Sequence, residues 1–356
     1  MPPPLSIPGP DKTGRNPTEQ ARTATPRKLI NFKPMKRNEF IKTTALAAGA
    51  LSLPVPLSAG ATRPAPFDRL PSLGIQLFSL PRSLENDTEA ALGMLRDMGY
   101  SEIELYGPYP FSDARNRESW ASLTPLLGFS GSGYYGRDEA SFKELVTGYG
   151  LRIPSLHTDL YTLEAHMPAL GAAARAMGAT YVTLPAIPDD QRKTLDDYKR
   201  MADRFNAIGK AAAAEGIRFA YHNHGYGLQA TGGVVPFEVM IDATDPQTVF
   251  LEMDIFWTKA GRANPVEYLR KYRGRYRMMH LKDMKELQYF SGDGGDAGQW
   301  MALFPNMASA GAGVLDLDAI VSAALETGVE HFFVEQDMVA NPETALKESL
   351  DYLKSL

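Results

Sequence analysis

The stretch YKRMADRFNAIGKAAAAEGIRFAYH, residues 198–222, carries the unit that decides the fold. An amphipathic, Ala-rich helical pattern closes on Gly216, as helix C-caps do, and runs straight into the β-rich segment IRFAYH. Working outward, the same order recurs. AALGMLRDMG, MPALGAAARAMGA and LDAIVSAALETG are helical patterns that end at or beside a glycine. Short β-rich runs open at Gly74, Glu102, Ile153, Thr180, Ile217, Val249, Arg277 and His331. Strand, helix, glycine, strand is the signature of parallel βα units. Eight such runs predict one closed (β/α)8 barrel, a single α/β domain of roughly 250 residues before insertions. An open doubly wound sheet would normally place a Gly-rich phosphate loop after its first strand. Here that strand runs into LFSLPRSLEND, which has no glycine.

Composition bounds the chemistry. The 356 residues are 44% hydrophobic and 22% charged, a soluble globular profile, and there is no cysteine. Disulfides, thiolate metal sites and a Cys nucleophile are therefore excluded, and any metal must use His and carboxylate ligands. Residues 1–61 hold nine Lys/Arg and three Asp/Glu, leaving the rest of the chain with 28 basic against 39 acidic side chains, a formal −11. Such an acidic body is a poor partner for nucleic acid. No apolar run reaches the roughly 18–20 residues of a membrane span.

The front of the chain differs from the rest. Residues 1–34 contain eight prolines and little periodic hydrophobicity, so a disordered extension is expected there. From Met35 to Ala61 a basic head (Lys36, Arg37), an apolar middle and the small residues Ala59-Gly60-Ala61 follow one another. This is the layout of an export signal. The segment RNEFIK resembles a twin-arginine motif with Asn38 in place of the second arginine. Export to the periplasm and a barrel domain over residues 62–356 follow from that reading; without the signal the protein would be cytoplasmic.

In a parallel barrel the active site forms at the carboxyl ends of the strands. There the sequence gathers Glu104, His157, His222, His224, Glu252, Asp254, His280, Lys282 and Glu335. Strand side chains alternate with period two, so His222 shares a face with His224, Glu252 with Asp254, and His280 with Lys282. Asp254, His280 and Glu335 lie on adjacent strands six to eight, and strand five adds His222. Two imidazoles and two carboxylates suit a divalent first-row ion such as Mn, Co or Zn, and Mg less well. HLKD equally suits a plain ion pair among His280, Lys282 and Asp283. Periodicity leaves open whether His222 or His224 is the ligand.

Taken together, GIQLFSL, YHNHGYG, LEMDIFW, MHLKDMK and FVEQD resemble the sugar phosphate isomerase/epimerase family of xylose-isomerase-like barrels, over roughly residues 74–353. The resemblance implies a divalent metal, commonly Mn, on His222, Asp254, His280 and Glu335. It also implies His157 and Lys282 near the substrate and Trp257 as an apolar wall. Glu104, His224 and Glu252 join Trp257 as candidate substrate-binding residues. The chain departs from ketose epimerases at strand five, where those enzymes carry a glutamate. A neutral imidazole held on a metal cannot act as that base.

The reaction expected is isomerisation or epimerisation of a non-phosphorylated keto-sugar or related polyol through an enediolate. Glu335 is the candidate general base, with His157 or Lys282 as acid. Elimination from a 3-keto-glycoside or inosose is the alternative, and a non-catalytic sugar-binding barrel is a further one. An apurinic-site endonuclease, which shares this barrel, is disfavoured by the acidic body. The mouth shows no Arg cluster suited to a phosphate. Insertions at 107–137 and 284–312, rich in Tyr, Phe and Trp, fit either a sugar-stacking rim or a homo-oligomer interface.

Overall fold

A computed structural model of the chain describes residues 70–356. The expected disordered extension at 1–34, the expected export signal at 35–61 and the expected domain start at 62 lie outside the described residues. Each predicted helix–glycine pattern forms a helix. The stretches Thr88–Met98 and Met167–Met177 stop where Gly99 and Gly178 turn left-handed, with φ of 105° and 77°. There the glycine amide bonds back to carbonyls of the last turn, a conformation that a Cβ disfavours. The helix Leu195–Ala214 begins in a capping box between Thr194 and Asp197.

The eight predicted strands all form. They are β1 (Gly74–Gln76), β2 (Glu102–Tyr106), β3 (Arg152–His157) and β4 (Tyr181–Leu184). The rest are β5 (Arg218–His222), β6 (Val249–Asp254), β7 (Tyr276–Leu281) and β8 (His331–Val334). Every neighbouring pair is parallel, and β1 closes against β8 to make a barrel. The fold is a (β/α)8 barrel. β1 is shorter than the run GIQLF suggests because the Gln76 side chain accepts from Phe78 N at 3.0 Å and turns the chain into a 3-10 helix.

Alternation of side chains builds the barrel interior in layers. Tyr181, Ala220, Phe250, Met278 and Phe333 from β4 to β8 pack together as an apolar layer. Two residues further along four of these strands and their extensions stand His222, Glu252, His280 and Glu335. The polar cluster therefore rests on a packed floor, and both insertions follow strands at its open side. After β2 the chain carries a helix at Ala114–Leu127, and after β7 one at Ala297–Leu303. Among the described residues no helix is long and apolar enough to cross a membrane.

Candidate metal centre and sugar pocket

The polar residues form two tiers. In the lower tier the Glu104 carboxylate takes Gln76 Nε2 at 2.9 Å and His280 Nε2 at 2.6 Å, with His157 Nε2 at 3.1 Å. Glu252 Oε2 takes His157 Nε2 at 2.7 Å and His222 Nδ1 at 3.0 Å. In the upper tier His280 Nδ1 lies 2.7 Å from Glu335 Oε2. Lys282 Nζ lies 3.0 Å from Asp254 Oδ2, 2.5 Å from Glu335 Oε2 and 2.7 Å from Asp337 Oδ2. Asp254 Oδ1 meanwhile accepts from Trp257 N at 2.9 Å and caps the short helix Ile255–Ala260, so local structure fixes that carboxylate.

Two overlapping ligand sets result, each with donor atoms within 4.8 Å of one another: Asp254, His280 and Glu335, and His157, His222, Glu252 and His280. His222 links them, since its Nε2 lies 3.8 Å from Asp254 Oδ2 while its Nδ1 is turned to Glu252. This is the arrangement in which a carboxylate fixes the tautomer of a metal-binding histidine. The buried oxygens Glu104 Oε1 and Asp254 Oδ2 accept no hydrogen bond, and the latter is faced at 3.0 Å by the Lys282 ammonium. A buried carboxylate oxygen with no partner, such as Glu104 Oε1, is costly, whereas Asp254 Oδ2 has the ammonium as its cation. The cluster fits a divalent ion by its imidazole and carboxylate donors.

Electrostatics separate the histidines. Burial opposes charge on His157, but the Glu104 and Glu252 carboxylates outweigh it and raise the imidazole to about 9. His280 is likewise raised against its burial by Glu252, Glu335 and Glu104. Burial, reinforced by His280, pushes His222 well below its ordinary value. His224 falls to about 3 through burial and the nearby Lys282. Burial and the Glu335 charge lift Asp337 to about 6.

Over these tiers opens a cavity of about 840 Å³. His157, His222, His224, Trp257, Glu335 and Asp337 line it, and the two insertions add Trp120 on one side and Trp300 on the other. His224 is part of this wall and of neither ligand set: its Nδ1 bonds to Pro185 O at 2.5 Å and its ring lies 4.9 Å from Trp300. Of the two histidines, His222 belongs to a possible ligand set and His224 to none. Trp257 is buried against Phe290, and its buried Nε1 has no hydrogen-bond partner.

Several expectations need correction. Glu104 and Glu252 are fully buried beneath the cavity and serve the histidines rather than touching its contents. Lys282 is equally buried and does not line the cavity, being held by three carboxylates. Asp283 forms no ion pair with His280 or Lys282. Its carboxylate instead accepts from the backbone amides of Gly311, Gly313 and Leu315 at 3.0–3.1 Å, which anchors the loop GAGVLD, residues 311–316. Arginines do reach the mouth. Arg115 is paired with Asp113 at 2.9 Å, and Arg192 donates to Ile187 O and Gly295 O, each at 2.7 Å. Both are already committed to protein partners.

Sequence reasoning missed Gln76 and Arg192. Gln76 carried a signal, a polar side chain at the carboxyl end of a strand. Arg192 carried none, since its importance lies in bonding a loop 103 residues away.

The family described as xylose isomerase-like TIM barrel matches residues 92–356. The chain belongs to that family. Within it, the xylose isomerase-like barrel is 30% identical over 161 residues to inosose dehydratase 2 of Bacillus cereus, covering 43% of this chain and 53% of the relative. The chain thus spans about half the length of that curated relative. A sugar phosphate isomerase/epimerase from Parabacteroides distasonis superposes with a TM-score of 0.61 at 22% identity, covering 80% of this chain and 94% of its own. The IolI protein with a bound zinc atom superposes at 0.56 and 16% identity, covering 80% and 95%. At these identities the superpositions speak for the fold alone.

Proposed function

We propose that this xylose isomerase-like barrel is a divalent-metal-dependent sugar isomerase or epimerase acting on a non-phosphorylated keto-sugar or related polyol. The carrying observation is the convergence of Asp254, His280 and Glu335, with His222 beside them, next to a cavity that Glu335 and His222 line together with Trp257 and Trp300. The name of inosose dehydratase 2 supports a small polyol-derived substrate, and the reaction in that name is the elimination of the second reading below. Mn is the favoured ion, with Co, Zn and Mg as alternatives. When bound, such an ion supplies Lewis acidity to a carbonyl or hydroxyl oxygen.

The chain's own residues supply the rest. Glu335 lines the cavity and carries no proton of its own, so it is the carboxylate placed to take a proton α to the carbonyl; Lys282 and His280, which hold it ionised against burial, also weaken it as a base. His157 lines the same cavity, and its carboxylate neighbours keep it protonated, so it can donate. Trp257 and Trp300 offer stacking faces for a sugar ring and exclude water. The committed state of Arg115 and Arg192 favours an uncharged sugar over a phosphate ester.

Elimination is the second reading. It is favoured by His222, which occupies the place where two-glutamate epimerases need a base, and by a protonated His157 that can assist a departing hydroxyl. Export to the periplasm, directed by residues 35–61, belongs to the same proposal. It is tested by fractionating cells that express the full chain.

Metal analysis of the purified full chain tests the central claim. About one Mn, Co or Zn per wild-type chain, lost in His280→Ala and reduced in Glu335→Gln, is expected. Turnover of keto-sugars, 3-keto-glycosides and inososes then separates isomer from elimination product. Absence of stoichiometric metal after reconstitution would leave a sugar-binding barrel as the better account.

A further inference from the structure

The position of Lys282 carries a consequence for how the site is filled. Its ammonium sits against Asp254 Oδ2 and Glu335 Oε2, the same two carboxylates that, with His280, form the three-membered ligand set. It is buried, with its Nζ 5.5 Å over the Trp257 ring, and its third partner is Asp337, outside that ligand set. A divalent ion on Asp254 and Glu335 would compete for the same negative charge and meet a like charge in a low-dielectric pocket, where repulsion is weakly screened. Asp337 provides an alternative, because it lines the cavity wall and already holds Nζ at 2.7 Å.

We propose that Lys282 is a resident counter-cation of this site, and that a divalent ion enters by displacing its ammonium from Asp254 and Glu335, leaving it on Asp337. The inference rests on the metal reading above and adds to it a role for two residues that are not ligands. In the metal-free protein the lysine keeps two buried carboxylates from facing each other unpaired. In the loaded protein Asp337 retains the lysine, so the buried ammonium does not lose all of its partners. Lys282 then stays buried beneath the cavity and is tied to its wall through Asp337.

Binding of Mn²⁺ to the full chain, followed by the paramagnetic resonance signal of the free ion, tests this without any substrate. Lys282→Met is expected to bind Mn²⁺ about tenfold more tightly than wild type, since the competing charge is gone. Asp337→Asn is expected to bind about tenfold more weakly in the wild-type background and to change little in the Lys282→Met background, because its effect runs through the lysine. Thermal denaturation supplies a second readout: Lys282→Met melts lower than wild type without metal and recovers when Mn²⁺ is added. Unchanged or weaker binding by Lys282→Met overturns the proposal while leaving the metal site standing. An equal loss from Asp337→Asn in both backgrounds overturns it too, reducing Asp337 to a general attraction. If Lys282→Met does not fold, Lys282→Gln replaces it, and Asp337→Asn at the cavity wall still reports on wild type. Failure of every form to bind Mn²⁺, Co²⁺ or Zn²⁺ is a different result, which removes the metal site itself.

Discussion

His222 Nδ1 lies 3.0 Å from Glu252 Oε2, and this one contact decides which nitrogen of the ring faces Asp254. His222 ends β5 and Glu252 stands two residues before the end of β6, and their Cα atoms are register partners. Glu252→Gln keeps the shape but weakens the hold on the tautomer. Metal affinity should fall by about 10–100-fold, the usual range for a lost outer-shell partner. A titration giving wild-type affinity would show that Glu252 does not orient His222.

Arg192 ties the loop after β4 to the insertion after β7 through Ile187 O and Gly295 O, with its guanidinium 4.0 Å over the Tyr226 ring. Arg192→Met leaves two carbonyls without this donor, so stability should drop by about 1–3 kcal/mol. Proteolysis within residues 284–312 should also accelerate. An unchanged digestion pattern would mean that the insertion is held by its own packing.

Gly225 has φ of +82°, and a Cβ there would lie 2.4 Å from Trp257 O and 2.6 Å from the Phe290 ring. Gly225→Ala therefore forces apart the HNHGYG turn and the Trp257 wall. A loss of at least about 1–3 kcal/mol is expected from backbone strain alone, read as a lower urea midpoint. Wild-type stability would contradict the close approach.

The raised His157 gives metal-free stability an alkaline limit. Its folded value of about 9 lies above an ordinary histidine near 6.5, so its contribution is complete below about 6.5 and is lost as pH rises through about 9. Glu104 works in the opposite direction. Burial opposes its charge, but His157 and His280 depress it, so its contribution is present above the ordinary glutamate value and lost on acidification. Urea midpoints in chelator should fall between about pH 6.5 and pH 9.5, and less steeply in His157→Gln, where only the His280 part persists. Parallel slopes in the two proteins would refute the assignment.

The βα repeat was legible from residues 198–222 outward because helix, cap glycine and strand each obey local rules. All eight strands formed where β-rich runs stood. The candidate site was legible to the level of strand ends, since a parallel barrel brings those ends to one mouth. Period two also placed His222 with His224 and His280 with Lys282 on shared faces. It could not separate floor from wall, because both members of each pair point the same way and only their height differs.

The sequence by itself determined the barrel, the acidic body, the lack of thiol ligands and the set of strand-end residues, all of which follow from composition and local periodicity. Only the tertiary structure decided the division of labour. It put Glu104 and Glu252 under the histidines, His224 on the wall against Trp300, and Lys282 among Asp254, Glu335 and Asp337. The reason is physical: hydrogen bonds and ion pairs between strands far apart in sequence depend on barrel closure and side-chain height. Neither is encoded in any single stretch of the chain.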